Sequence, residues 1–260
     1  FTWEPNKKRH KYCLMYRYQI LIEYVGTSYV GWQIQKNGNS IQKTIQLVLS
    51  KILGKKTILY GSGRTDAGVH AIEQSAHFDI KNKIQNIDKM IKSLNFFLNK
   101  KMISIINIKK KNFNFYARHS AKQRIYLYII HNRLSASTVN KDREWHIRKK
   151  LDINLIKKGA KKLIGTHDFS TYRASNCSAK SPVRTMNKII VSKSKNRIQL
   201  KFKSKSFLKN QVRSMVGCLK CLGEKKWNLE KFKDVLEKKD RKNVAPPAPA
   251  CGLYLYKVIY

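Results

Sequence analysis

At 260 residues the chain can bury a substantial core, and its 55 Lys and Arg against 15 Asp and Glu, a formal charge of +40, suit it to a polyanionic partner. No apolar run approaches the roughly 18–20 residues of a membrane span, and the N-terminus lacks the apolar core of a signal peptide, so the expectation is a cytoplasmic protein with no membrane partner. The five cysteines, at 13, 177, 218, 221 and 251, have no framework spacing; Cys218 and Cys221 form a C-x-x-C inside an apolar helical pattern, where packing is the expected role.

Residues 1–14 lack periodicity and read as an N-terminal extension, with Met15 as the natural start. From there Tyr16, Tyr18, Ile20, Ile22 and Tyr24 alternate with Arg17, Gln19 and Glu23, the pattern of a half-exposed strand. After a turn-rich connection, Ser40 is a good N-cap for a helix with Ile41, Ile45, Val48, Leu49 and Ile52 on one stripe and Gly54 as its stop. A short strand over Thr57–Tyr60 leads into a glycine-rich turn. The next strand puts Ile72, Gln74, Ala76, Phe78 and Ile80 on one face, a second helix carries Ile87, Ile91, Leu94 and Leu98, and Met102–Ile108 is a strand.

That order, strand, helix, strand, strand, helix, strand, then recurs. Ile125–Ile130 is a strand; Asp152 caps a helix with Leu155, Ile156, Leu163 and Ile164; residues 186–192 and 197–203 form two strands joined by a tight turn. Phe207, Gln211, Val212, Met215, Val216 and Leu219 mark a long helix, a shorter one spans about 228–238, and Leu253–Ile259 is a closing strand. The expected fold class is α+β: two ferredoxin-like (βαββαβ) halves, residues 15–112 and 113–260, with antiparallel sheets flanked by helices and a seam free for a ligand.

The turn between the first half's second and third strands reads GSGRTDAGVH over residues 61–70, and Asp66 is the only carboxylate between Glu23 and Glu73. Glycines 61, 63 and 68 suit a tight turn with positive φ and close backbone approach. A lone carboxylate there is a candidate for chemistry, against the alternative that it closes an Asx-turn. The stretch is not a phosphate loop, a dinucleotide fingerprint or a nucleophile elbow. Four further constellations mix rings and cations: Phe115, Tyr116, Arg118 and His119 at the junction of the halves; Arg124, Tyr126 and Tyr128 on one strand; Phe169–Arg173 with Lys180–Arg184; and Arg213 on the long helix, away from its apolar stripe. Each has a bland alternative, as core tyrosines or solvated cations.

Taken together, Gly63–Ala71 (GRTDAGVHA), Arg124–Tyr128, Ser181–Thr185 (SPVRT), Phe207–Gly217 (FLKNQVRSMVG) and Gly252–Leu255 resemble, in order, the motifs of the TruA family of tRNA pseudouridine synthases. The resemblance covers nearly the whole chain from Met15 and departs at Gln211, where the family usually has Met. It implies the pseudouridine synthase fold and an isomerase that breaks the bond from ribose C1′ to uracil N1 and rejoins C1′ to C5, with no cofactor and no metal. It places the catalytic carboxylate on Asp66, its cationic partner on Arg213, the ring that stacks on the target base on Tyr126, and the residue that holds the flipped-out nucleotide on Arg64. It implies a homodimer acting on tRNA positions 38, 39 and 40, with Phe115, Tyr116, Arg118, His119, Phe169, Arg173 and Lys180 as candidate RNA contacts. Three first steps remain open: attack at C1′, addition at C6, or removal of the C2′ proton. The rival reading is a non-catalytic RNA-binding or RNA-chaperone protein on the same scaffold.

Overall fold

The computed structural model describes residues 15–260, so the expected extension at 1–14 and Cys13 lie outside the described residues. The first half runs β1 (Tyr16–Tyr24), α1 (Ile41–Leu53), β2 (Tyr60–Gly61), β3 (His70–Ile80), α2 (Ile87–Leu98) and β4 (Ile103–Lys111). The second runs β5 (Gln123–Asn132), β6 (Trp145–Ile147), α3 (Ile153–Lys162), β7 (Gly165–Asp168), β8 (Val183–Ser194), β9 (Arg197–Ser204), α4 (Gln211–Gly223), α5 (Leu229–Glu237) and β10 (Leu253–Ile259). Local chemistry starts most of the helices: Ser40, Asn86, Asp152 and Asn228 each accept the N–H of the residue three positions on, and Gly54 ends α1 at φ +66°.

The two sheets are not separate. They fuse into one path, β4-β1-β3-β10-β5-β9-β8-β7, with β2 hung on β3 and β6 on β5. The join is a parallel pairing of β3 with β10, His70 opposite Tyr254 and Ala71 opposite Leu255. It forms because β2 has only two residues, pairing at His77 and Ala76, and leaves the rest of that edge of β3 open. The expected strand over Thr57–Tyr60 is this short because α1 satisfies its backbone: Ser50 Oγ accepts the Thr57 N–H (2.9 Å), Gln46 Oε1 accepts the Leu59 N–H (2.9 Å), and Gln42 Nε2 donates to Leu59 O (2.7 Å). A backbone paired to side chains has no need of a strand neighbour.

Alternate positions of β1, β3, β5 and β9 join the buried stripes of α1–α5 in one core running through both halves, from Ile20 and Phe78 to Tyr128, Leu200 and Val216. Cys218 is fully buried in that core, where burial pushes its thiol up to about 12. Two sequence expectations shift. The long helix begins at Gln211, after a left-handed Asn210 (φ 62°), so Phe207 lies outside it. The strands β6 and β7, three and four residues long, are too short to carry a periodic signal.

Candidate active site

The turn between β2 and β3 sits at the seam where the halves join. Of its three glycines only Gly68 takes a positive φ (75°); the Asp66 carbonyl accepts the Val69 N–H across it at 3.1 Å. Gly61 instead makes room, since a Cβ there would lie 2.5 Å from the Trp32 indole nitrogen. The first half holds the loop from beneath. Trp32 N–H donates to Thr65 O (3.0 Å), the Tyr24 and Thr65 hydroxyls share a hydrogen bond (2.8 Å), and Gln74 receives Ser62 Oγ–H (2.7 Å) while donating to Gly63 O (2.9 Å).

Asp66 is half-buried, and its carboxylate makes no hydrogen bond and no ion pair within 4 Å among the described residues. The Asx-turn alternative is therefore not what this side chain does. Every other buried or half-buried carboxylate described has a partner: Arg17 forks onto Asp79 at 2.8 and 2.7 Å, and Arg197 and His131 lie at 2.9 and 3.2 Å from Glu144. The unpaired remainder, Glu23, Asp88, Asp142 and Glu230, is exposed. In a chain with 55 cations, an unpaired and shielded carboxylate is conspicuous.

Tyr126 lies on β5, in the second half. The ring is 9% exposed and meets Phe207 edge-to-face at 5.0 Å, and its phenol is pushed up to about 12, chiefly by burial, with Asp66 adding to the rise and Arg124 opposing it. Phe207 is thus placed by leaving the helix. Arg213, in the first turn of α4, turns towards the Pro-rich segment before β10: Nε donates to Ala248 O (2.7 Å), Nη1 to Asn210 Oδ1 (3.3 Å), and its own carbonyl accepts the Ala248 N–H (3.0 Å). It forms no ion pair with Asp66. The two are linked through one segment, because a Cβ on Gly68 would stand 3.2 Å from Ala250 Cβ. Gln211, the departure from the family pattern, is fully buried and closes the helix start by accepting the Leu208 N–H at 2.8 Å.

His70 ties the halves together at the end of the loop. Its Nδ1 accepts the Gly26 N–H (3.0 Å), which leaves Nε2 to donate to Cys251 O (3.1 Å), and burial holds its pKa below the ordinary value. Sequence reasoning assigned no role to His70 or to Gln74, and singled out Arg124 only as part of a strand motif. Their common signal was a polar residue on an apolar strand.

The remaining sequence candidates separate into two groups. Arg64, Arg118, His119 and Lys180 are exposed, Tyr116 is 49% exposed with the Arg17 guanidinium 4.5 Å from its ring centre, and Arg173 is half-buried. Phe169 is fully buried against Tyr172, and Phe115 is 8% exposed, packed on Tyr260 at 4.8 Å. Both rings are buried: each is the apolar anchor of a loop whose cations are outside. Tyr60 and Phe113, passed over in the sequence, are 49% and 46% exposed, and Tyr60 stacks on His77 at 5.0 Å. Recesses of 620 Å³ beside Trp227 and 580 Å³ beside His131 contain none of the candidate site residues.

Comparison with known proteins shows the family. The family model described as tRNA pseudouridine synthase matches residues 20–120 and 160–260. The chain is 63% identical over 246 residues to tRNA pseudouridine synthase A of Pelagibacter ubique (strain HTCC1062), covering 95% of this chain and all of the relative. It is 42% identical over 248 residues to tRNA pseudouridine synthase A of Brucella anthropi, covering 95% and 98%. The chain belongs to the tRNA pseudouridine synthase family.

Proposed function

We propose that this chain isomerises uridine to pseudouridine in the anticodon stem-loop of tRNA, at positions 38, 39 and 40, with Asp66 as the initiating carboxylate. The observation that carries the reading is the isolation of Asp66: a half-buried carboxylate with no partner among the described residues, its charge felt by the buried phenol of Tyr126, is free to act on a substrate. An ionised carboxylate can attack ribose C1′, add to uracil C6 or take the C2′ proton. Each route ends with C1′ bonded to C5, the C5 proton released and a proton gained at N1, so the isomerisation consumes no second substrate. In this reading Tyr126 stacks on the flipped-out base as a neutral phenol and Arg64 holds the vacated position. Arg213, kept beside the seam by Ala248 and Asn210, closes on the carboxylate when the nucleotide enters.

The halves 15–112 and 113–260 form the two walls of one RNA cleft. Its RNA contacts are Tyr116, Arg118, His119, Arg173 and Lys180, joined by the half-exposed rings of Tyr60 and Phe113, and they bind by shape and phosphate more than by base edges. The working unit is a cytoplasmic homodimer. Mapping pseudouridines in tRNA incubated with the purified protein tests the activity and the positions together; unmodified tRNA would remove the reading and favour a protein that only binds.

A further inference from the structure

We infer that Arg124 is a positioning residue for this reaction: it fixes the loop carrying Asp66 in the first half against the strand carrying Tyr126 in the second. The inference rests on the roles just proposed for those two residues. One Arg124 guanidinium donates from Nη2 to the carbonyls of Ser62 (2.7 Å) and Arg118 (2.9 Å), and from Nη1 to that of Lys205 (2.7 Å). It therefore ties together the stem of the Asp66 loop, the connection between the halves, and the segment that leads to Phe207 and α4. A Cβ on Gly63 would lie 3.6 Å from Arg124 Nε, so the guanidinium lies directly against the loop.

Three features set this cation apart in a chain crowded with cations. It has no carboxylate within 4 Å among the described residues, and burial lowers its pKa, so it is neither an ordinary ion pair nor a solvated side chain. Arg124 and Tyr126 are two residues apart on β5, which puts both on one face about 7 Å apart along the strand. Among the described residues, its bond to Ser62 O is also the only side-chain hydrogen bond from the second half to the Asp66 loop, residues 61–68; Gln74, Tyr24 and Trp32 hold the loop from its own half. The strand that presents the stacking ring thereby sets the distance to the carboxylate. Three carbonyls in different directions need a planar fork with several donors, which a lysine ammonium cannot supply. The fold has other support at the seam, because β3, β10 and β5 are paired through their backbones.

The test compares Arg124→Lys and Arg124→Gln with the parent in single-turnover tritium release from 5-tritiated uridine in bound tRNA, alongside tRNA affinity, its salt slope and thermal unfolding. A displacement of about 1 Å at a reacting centre costs about 100-fold, so both variants should lose about 30- to 100-fold in rate. Affinity should stay within about threefold and the salt slope should not change. Lys205→Met, which keeps the carbonyl that Arg124 uses, should match the parent. A normal rate per folded molecule with reduced stability would make Arg124 a mere brace. Lost affinity with a shallower salt slope would make it a phosphate contact, and full activity of Arg124→Lys would make its charge, not its fork, the point. Failure of both variants to fold would assign it to the scaffold; each of these results overturns the inference. If Asp66→Asn is inactive while Arg124→Lys is normal, only the inference falls; if Asp66→Asn is active, the underlying reading falls.

Discussion

The two halves share one topology, β4-β1-β3-β2 in the first and β10-β5-β9-β8 in the second, but their second strands differ sixfold in length: two residues in β2 and twelve in β8. In the second half β8 fills the edge of β9, and the turn between them, Lys195–Asn196, is a plain hairpin at the periphery. In the first half α1 captures the backbone of 57–59, β2 stops early, and the open edge of β3 accepts β10 from the other half. The corresponding turn is then central, and it carries Asp66. A short second strand in the first half thus goes with a fused sheet and with a turn at the seam instead of at the periphery.

The comparison breaks most sharply at the two turns. Asp66→Asn should lower turnover about 10,000-fold or more while leaving tRNA affinity within a few-fold, and Asn196→Ala in the matching turn should change it by less than about twofold. Tritium release measures both; comparable losses would mean that the turns are not functionally distinct. A smaller loss is expected on the second half's side of the seam. Replacing a stacked ring costs about 1–3 kcal/mol, so Tyr126→Leu should lose about 10- to 100-fold in kcat/KM, and Tyr126→Phe only what the hydroxyl contributes. If Tyr126 is only a core ring, Leu will lower the melting temperature and spare the activity of the folded fraction.

Binding should draw on cations from both halves. A log affinity against log salt slope steeper than about −3 means a loss of roughly 60-fold for a fourfold rise in salt; a flat response would make the +40 charge compositional drift. The smallest effect concerns His70, which joins the halves with both ring nitrogens engaged. Its folded pKa is lowered by burial, so the unfolded chain takes up the proton first. The stability this histidine contributes is complete above about pH 6.5 and declines as pH falls from there to the lowered folded value. His77 and His131 are lowered as well, by burial first, and add to the same acid-side decline. Thermal midpoints between pH 8 and 5 should show it, and His70→Asn should flatten part of it; an unchanged pH profile would remove His70 as a seam contact.

Helix positions were legible in the sequence because their causes are local. Apolar spacing and the caps read at Ser40 and Asp152 lie within a few residues of their helix starts, and strands of seven or more residues carry a visible alternation. The doubled element order and the prominence of Asp66 were legible for the same reason. Three things were not. The fusion of the sheets depends on which edge stays open, and that was decided by Gln46 and Ser50 reaching 13 and 7 residues along the chain. The isolation of Asp66 depends on where 55 cations come to rest, and Phe115 and Phe169 differ from Tyr116 only in which side of their loops meets the core. Hydrophobic period and capping are short-range properties of the chain; edge pairing, charge neighbours and the facing of a ring are set by segments distant in sequence, so only the tertiary structure could decide them.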